Sequence, residues 1–359
     1  MLNAKLPKYL AIAEWLKENI HNQQFKSEEK LISENQLCQK FAVSRQTARQ
    51  AIATLEKEGL VTRKRGSGTY VNQVTIPGKM STHNIGVITT YLDDHVFPHI
   101  ISGAEKILSK ANYNMTLRLT RNKVHNERTQ LLSLLTTGID GLIVEGTKTA
   151  LPNPNLDVYQ KFYEQNIPVI FINAYYQNMP CNYIVNDDVL GARLATRYLI
   201  NHGHTKIFGI FKHDDQQGNN RYKGFIDEMY AQDFKVDDYG ILWYSTESKA
   251  EIFAPQQLEV LAEKFRRCSA VICYNDQVAM RLIQLFNGSD IKIPTDLSIV
   301  SFDNTSAALI STVPLTSITH PSVEIGKLAA SSILKMLENP YHTVKHVFTP
   351  ELIVRDSVN

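Results

Sequence analysis

The sequence predicts two architectures in one chain: a small α+β winged helix-turn-helix at the amino end, then an α/β body of two lobes, each a parallel sheet flanked by helices. Three observations carry this. Residues 31–71 read as two short helices followed by a basic hairpin tipped by Gly66-Ser67-Gly68. From residue 84 onward, short apolar runs alternate with amphipathic segments, the pattern of parallel α/β sheets. Between them, residues 73–83 (QVTIPGKMSTH) are polar and interrupted by Pro77-Gly78, which reads as a linker. The division is therefore 1–72, 73–83 and 84–359, and 359 residues suffice for more than one core.

In the head, Ser33 with Gln36 three residues later forms a capping-box pattern that starts a helix. Leu37 and Phe41 then share its inward face at i and i+4. Ala42-Val43 makes a turn, and Ser44 caps the next helix. There Ala48, Ala51, Ile52 and Leu55 form the inward stripe, leaving Arg45, Gln46 and Arg49 outside. The first turn of such a helix enters the DNA major groove, where Arg pairs bidentately with guanine and Gln with adenine. After Gly59, Leu60–Thr62 and Thr69–Val71 read as strands. Arg63-Lys64-Arg65 lies between them, before glycines that let backbone approach a phosphate closely. Any one of these residues alone reads better as part of a solvated face. The ordered set points to double-stranded DNA as partner.

Charge placement agrees. The formal net charge is +2, but residues 1–72 hold 12 Lys and Arg against 7 Asp and Glu, a local +5. The remainder, with 26 basic and 29 acidic residues, carries −3. A basic head on a mildly acidic body suits a nucleic-acid module joined to something else. No apolar run is long enough to span a bilayer and no signal pattern opens the chain, so a cytoplasmic location is expected. Cys38, Cys181, Cys268 and Cys273 form no Cys-x-x-Cys pair and have no His at zinc-ligand spacing. Buried thiols, with no metal and no cofactor, are the expectation. The chain also lacks Gly-x-Ser-x-Gly, a P-loop and His-Glu-x-x-His, so no enzyme activity is expected.

The body is predicted to carry strands at Ile85–Thr90, Met115–Leu119, Gly141–Glu145, Val169–Asn173, Lys206–Phe211, Ala270–Tyr274 and Leu297–Phe302. Helices are expected at Pro98–Lys110, Glu127–Leu135 and Val189–Asn201. The runs divide into lobes of roughly 84–185 and 186–316, followed by a helix at Val323–Leu337 and a closing strand at Glu351–Arg355. Ligands of open α/β sheets bind beyond the carboxyl ends of the strands. Polar and aromatic residues gather at those ends: Tyr91, Asp94, His95 and Phe97 after the first strand, Glu145 after the third, Asn173 and Tyr175 after the fourth. Arg221, Asn275 and Asp303 stand in the second lobe. Carboxylates, amides and an Arg mixed with rings suit a polyhydroxylated ligand. The polar groups bind hydroxyl pairs and the rings cover C–H faces.

Residues 6–71 resemble the GntR-type DNA-binding head. The matches are Ser33-Glu34, Leu37, Phe41, Val43-Ser44-Arg45, Thr47, Arg49, Ala51, Leu55, Gly59-Leu60 and Gly66-Ser67-Gly68-Thr69-Tyr70-Val71, with a departure at Ile32, where proline is usual. This resemblance implies DNA contacts by Asn35, Ser44, Arg45, Gln46, Thr47, Arg49, Arg65, Gly66, Ser67 and Gly68. Residues 84–355 resemble the LacI/GalR-type effector domain, akin to periplasmic sugar-binding proteins. Gly138-Ile139-Asp140-Gly141-Leu142-Ile143, Arg221-x-x-Gly224-Phe225, Asn275-Asp276-x-x-Ala279 and Phe302-Asp303 are among the matching pieces. By position, the family's sugar-contacting Arg, amide and carboxylate fall on Arg221, Asn275 and Asp303. Asn173 replaces the post-strand aspartate of many members, and Asp188 the second residue of an Asp-Asn pair.

A GntR-type head on a LacI-type body is similar to the family of L-arabinose-responsive repressors, as are the segments VITTYLDDHVFP, DGLIVEGTK, GIFKHDDQQG and AVICYNDQVA. That resemblance implies a homodimer that leaves its operator when L-arabinose or a related monosaccharide binds the body. Chemistry alone specifies only a monosaccharide-like polar ligand. A regulator of opposite sense, one answering to a phosphosugar or purine, and an enzyme fused to a DNA-binding head remain the alternatives.

Overall fold

The structure, a computed structural model, describes residues 7–21, 24–25, 28–64, 66–72, 81–92 and 96–359. Two compact units form, Met1–Met80 with Glu338–His342 and Ser81–Leu337 with Thr343–Asn359.

In the first unit, helix α1 (Lys8–His21) precedes α2 (Glu34–Phe41) and α3 (Arg45–Lys57), and strands β1 (Val61–Lys64) and β2 (Gly68–Val71) make the wing. The sequence motif begins at residue 31 and leaves α1 unpredicted. Its Ile12, Leu16 and Ile20, spaced by four, bury against Leu37, Ala48, Ala51, Ile52 and Leu55. Ser33 caps α2 reciprocally with Gln36, and Ala42 turns the chain in the left-handed conformation (φ 50°). Ser44 caps α3 by accepting the Thr47 N–H at 3.2 Å. The hairpin is antiparallel, from Val61 opposite Val71 to Lys64 opposite Gly68. Residues 28–31 add a third edge, Leu31 N–H donating to Thr69 O at 2.8 Å and Val71 N–H to Glu29 O at 3.0 Å. The wing is therefore braced by chain that comes before α2.

The second unit opens on β3 (Asn84–Thr89), α4 (Phe97–Leu108), β4 (Asn114–Leu119), α5 (Val124–Thr137), β5 (Gly141–Val144), α6 (Leu156–Glu164), β6 (Val169–Ile172) and β7 (Asn182–Asn186). Then come α7 (Asp188–Asn201), β8 (Ile207–Lys212), α8 (Gln216–Ala231), β9 (Ile241–Tyr244), α9 (Lys249–Ile252), α10 (Leu258–Phe265) and β10 (Ala270–Cys273). The remainder is α11 (Asp276–Phe286), β11 (Ser298–Asp303), α12 (Ser306–Ile310), β12 (Thr316–Thr319), α13 (Ser322–Glu338), β13 (Lys345–Phe348) and β14 (Leu352–Ile353). One six-stranded sheet has the order β13-β7-β6-β5-β3-β4, the other β14-β12-β11-β10-β8-β9. All neighbours pair parallel except β14, which runs antiparallel to β12.

Both sheets are covered on two faces, as parallel sheets require. Ile85, Ile143, Ile170 and Ile184 meet α4 and α13 on one side of the first sheet, while Leu142, Val144 and Phe171 meet α5 and α6 on the other. In the second lobe Val271 and Ile299 pack with Leu261 and Leu282, and Ile272 and Val300 with Ala195 and Phe225. The late helix α13 thus returns to the first lobe. The chain crosses between lobes three times, after β7, after β12 and after β13.

The composition of the linker suggests an end at residue 83, but Ser81, Thr82 and His83 are held within the body. The Asp140 carboxylate accepts Ser81 Oγ at 2.5 Å, Thr82 N–H at 2.9 Å, Thr82 Oγ at 3.0 Å and His83 N–H at 2.9 Å.

Candidate functional site

The head presents a polar face built by α3 and the wing. Burying Ala48, Ala51, Ile52 and Leu55 turns Arg45, Gln46 and Arg49 outward. The Arg45 and Arg49 side chains are 75% and 70% exposed and lie 3.5 and 3.9 Å from Glu34, so only loose ion pairs hold them. Arg63 reaches back from the wing and donates to the Arg49 carbonyl at 3.2 Å. Asn35 and Ser44 are exposed on the same unit, and Thr47 is half-buried because its hydroxyl meets Ser44 Oγ at 2.9 Å. In the wing, Ser67 Oγ and Tyr70 OH are 2.7 Å apart, and the Lys64 ammonium lies 4.8 Å over the Tyr70 ring. Gly66 and Gly68 both adopt positive φ, 76° and 125°. A side chain at Gly68 would also meet Lys30. Arg65 lies outside the described residues.

In the second unit, a cavity of about 290 Å³ opens between the carboxyl ends of the two sheets. Thr90 and Tyr91 follow β3, Glu145 follows β5 and Asn173 follows β6; across from them are Lys212 closing β8, Tyr244 closing β9, Tyr274 and Asn275 after β10, and Asp303 closing β11. Helix starts contribute because their caps sit on the same ends. Asp215 caps α8 by accepting Gly218 N–H at 2.7 Å, and Asn275 caps α11 by accepting Val278 N–H at 3.1 Å. Gly218 permits α8 to begin so close to β8, since a Cβ there would sit 1.8 Å from Lys212 O.

Two cations of the cavity, Arg221 and Lys212, are held in ion pairs, while Lys249 donates to the Gln277 side chain at 3.0 Å. Arg221, only 2% exposed, donates to Asp188 at 2.8 Å, to Tyr274 O at 2.5 Å and to Asp303 at 3.4 Å. Its guanidinium lies 4.8 Å from the Tyr274 ring centre and 4.4 Å from that of Phe302. Burial opposes the Arg221 charge, yet Asp188 and Asp303 hold its pKa above the usual value. Burial likewise pushes Asp188 up to about 6 against the pull of Arg221. Lys212 contacts Asp215 at 2.9 Å and Asp214 at 3.2 Å, and these carboxylates outweigh desolvation and raise its pKa. Tyr274 OH donates to Asp215 at 2.7 Å. Glu145 accepts Thr90 N–H at 2.9 Å and Thr90 Oγ at 2.5 Å, and burial pushes its carboxyl up to about 7. Burial, with the Arg221 charge, lowers His320 to about 3, so its imidazole is neutral. The Asn173 side-chain oxygen is buried and has no hydrogen-bond partner among the described residues. Among those residues no group of three or more His, Cys, Asp or Glu is placed to hold a metal.

The lobes also touch beside the cavity. Asn122 donates to Thr246 at 2.6 Å and to Asp214 at 3.3 Å, Lys148 pairs with Glu247 at 2.8 Å, and Gln216 N–H donates to Thr149 at 3.0 Å.

Of the residues expected around a ligand, Tyr91, Phe97, Glu145, Asn173, Arg221, Asn275 and Asp303 all line this cavity. Tyr175 does not, which corrects the expectation. Its ring stacks flat on Tyr183 of the neighbouring strand β7, centroids 4.1 Å apart, and so is not part of the cavity wall. Asp94 and His95 lie outside the described residues. Sequence reasoning missed Lys212, Asp215, Gln217, Thr246, Gln277 and His320, which also line the cavity. The signal for Lys212 and Asp215 is present in the sequence, a charged end to an apolar strand followed by a helix cap.

Comparison with known proteins matches residues 8–71 to the family described as bacterial regulatory proteins, gntR family, and residues 196–358 to the periplasmic binding protein-like domain. An arabinose metabolism transcriptional repressor of Geobacillus stearothermophilus is 37% identical over 99% of both chains. That of Halalkalibacterium halodurans is 38% identical over 91% of this chain and 90% of its own. A LacI family transcriptional regulator of Enterococcus faecium, solved with bound ribose, superposes with a TM-score of 0.66 at 22% identity, over 77% of this chain and 98% of its own. At that identity the likeness concerns the fold.

Proposed function

The chain belongs to the family of arabinose metabolism transcriptional repressors, and from that premise we propose that L-arabinose is the effector bound in its cleft. It is a DNA-binding transcriptional repressor whose body is a sugar-binding effector domain. The observation that carries the choice of ligand class is the paired charge of the cavity. Arg221 is matched by Asp188 and Asp303, and Lys212 by Asp214 and Asp215. A phosphosugar held by either of these two cations would need it freed from its pair, at several kcal/mol for a buried one. A neutral polyol needs only donors and acceptors, and the Asn173 oxygen awaits a hydroxyl.

In this reading Glu145, Asn173, Arg221, Asn275 and Asp303 bind sugar hydroxyls, while Tyr91 and Phe97 cover its apolar face. Arg45, Gln46 and Arg49 read base edges, with Asn35, Ser44, Thr47 and the wing from Arg65 to Gly68 on the backbone. Two copies pair as a homodimer, setting two heads on the half-sites of a near-palindromic operator in the cytoplasm. Sugar binding changes the relation of the lobes, and operator affinity drops because sugar binds the DNA-incompetent state more tightly. No catalytic step is part of this reading.

Fluorescence anisotropy of operator DNA at fixed salt, with and without L-arabinose, tests it. D-Xylose and D-galactose serve as controls. Release by L-arabinose alone is expected. Tight operator binding that none of the three sugars disturbs would refute the assigned effector.

A further inference from the structure

We propose that Asp140 is a positioning residue for the sugar response, clamping the first residues of the body and tying them through β3 and β5 to the cavity wall. The inference rests on the sugar-released repressor reading above. Asp140 is buried, 8% exposed, and its two oxygens receive four hydrogen bonds from three consecutive residues. Ser81 Oγ and His83 N–H share one oxygen, and Thr82 N–H and Oγ share the other. This fills the acceptor capacity of an ionised carboxylate. Burial works against the charge, but the Ser81, Thr82 and His83 donors hold the carboxyl below its usual range. A buried anion is a costly way merely to begin a strand.

The same device recurs at the other end of the same two strands. Asp140 stands one residue before β5, and His83 one residue before β3. The strands pair in parallel from Ile85 opposite Gly141 to Ile88 opposite Val144. One residue past β5, Glu145 takes the N–H and the hydroxyl of Thr90, one residue past β3. At each end a carboxylate on the β5 side receives a backbone N–H and a hydroxyl from the β3 side. Closed at both ends and buried between, the pair resists slippage of one strand against the other. It spans about 20 Å at roughly 3.3 Å per residue. One end is cavity wall, and the other holds Ser81 and Thr82. His83 has a further tie, its carbonyl accepting Asn114 N–H at 2.7 Å, so Ser81 and Thr82 depend most on the clamp. A displacement of Glu145 and Thr90 when a ligand binds therefore reaches the residues that follow the linker, instead of dissipating where the strand begins.

The test uses the full-length protein, with L-arabinose affinity by calorimetry and operator affinity by anisotropy with and without L-arabinose. The variants are Asp140→Asn, and Ser81→Ala combined with Thr82→Val, which removes two donors and keeps the carboxylate. Each is expected to bind L-arabinose within about twofold of wild type. The ratio of operator Kd with sugar to that without should fall about tenfold or more, a coupling loss in the range of ordinary allosteric effects. A wild-type ratio in both variants overturns the inference. So does a parallel loss of sugar affinity and melting temperature, which marks a purely structural role. A wild-type protein that L-arabinose does not release from DNA defeats the repressor reading itself, a separate result from either variant outcome.

Discussion

Glu34 holds Arg45 and Arg49 only loosely, at 3.5 and 3.9 Å on an exposed face, so both guanidinium groups are free to exchange that partner for a base edge. Arg49→Ala should therefore weaken operator binding by about 1–3 kcal/mol, the worth of one bidentate base contact. L-Arabinose affinity should stay unchanged in calorimetry; loss of both in a folded variant would contradict the modular arrangement. Glu145 offers a second prediction. Its carboxyl is pushed by burial from 4.5 up to about 7, so between those values the folded state holds a proton that the unfolded chain has released. Stability from this group is present below about 4.5 and declines as pH rises through about 7. At about 1.4 kcal/mol for each pH unit between those two values, Glu145→Gln should remove a decline of roughly 3 kcal/mol across that window. Urea titrations of wild type and variant at pH 5 and 7.5 check it, and equal slopes would show that the carboxyl titrates normally. Residue type and place along the chain are enough to assign Arg221, Asn275 and Asp303 to the cleft. Tyr175 shows the limit of that logic, because its ring is taken up by stacking on Tyr183, a contact that order along the chain does not reveal. His320 gives no signal, since it follows a strand, Thr316–Thr319, that is mostly hydroxyl residues and does not look apolar.

Helices α4 and α13 meet through a reciprocal pair of glycines. A Cβ on Gly103 would lie 2.2 Å from Val323 O, and one on Gly326 2.0 Å from Ile100 O. Backbone approaches backbone there, leaving no flexible side chain to give way. Gly326→Ala should destabilise the body by about 1–3 kcal/mol through overpacking. Thermal melting with sugar binding intact at low temperature is the expected readout, and an unchanged melting temperature would mean the helices separate freely. This contact also docks the late helix on the first lobe, a placement that the order of segments along the chain does not reveal. Long apolar strands such as β3, β8 and β11 are legible because burial on both faces demands continuous apolar runs. Strands β7, β9, β12 and β13 are not. In β12, Thr316 and Ser317 are buried but satisfied by Arg355, Ser357 and Asp276, so hydroxyl residues stand where apolar ones signal a strand. β9 and β13 each pair with a neighbour on one side, half-exposed at a sheet edge. The closing strand, expected over five residues, pairs over two, Leu352–Ile353.

Across the whole molecule, charge is divided according to what each part binds. The head carries a local +5, while in the cavity Lys212 and Arg221 are paired with carboxylates. Operator binding and sugar binding should consequently respond differently to salt. Operator affinity should follow a log–log slope of about −0.9 for each phosphate neutralised, hence about 10³-fold between about 50 and about 200 mM salt if six are met. Sugar affinity should stay flat over that range, because buried pairs are little screened. A flat operator curve would remove the backbone from the account of binding. The three passages of chain between the lobes, after β7, β12 and β13, carry one more implication. Neither lobe is a continuous stretch of polypeptide, so neither is a fragment that a protease could release with one cut. A single nick at any crossing should yield two pieces on a denaturing gel and still one particle in native electrophoresis, because each cut leaves both pieces contributing elements to one shared core, as β13 and α13 do in the first lobe.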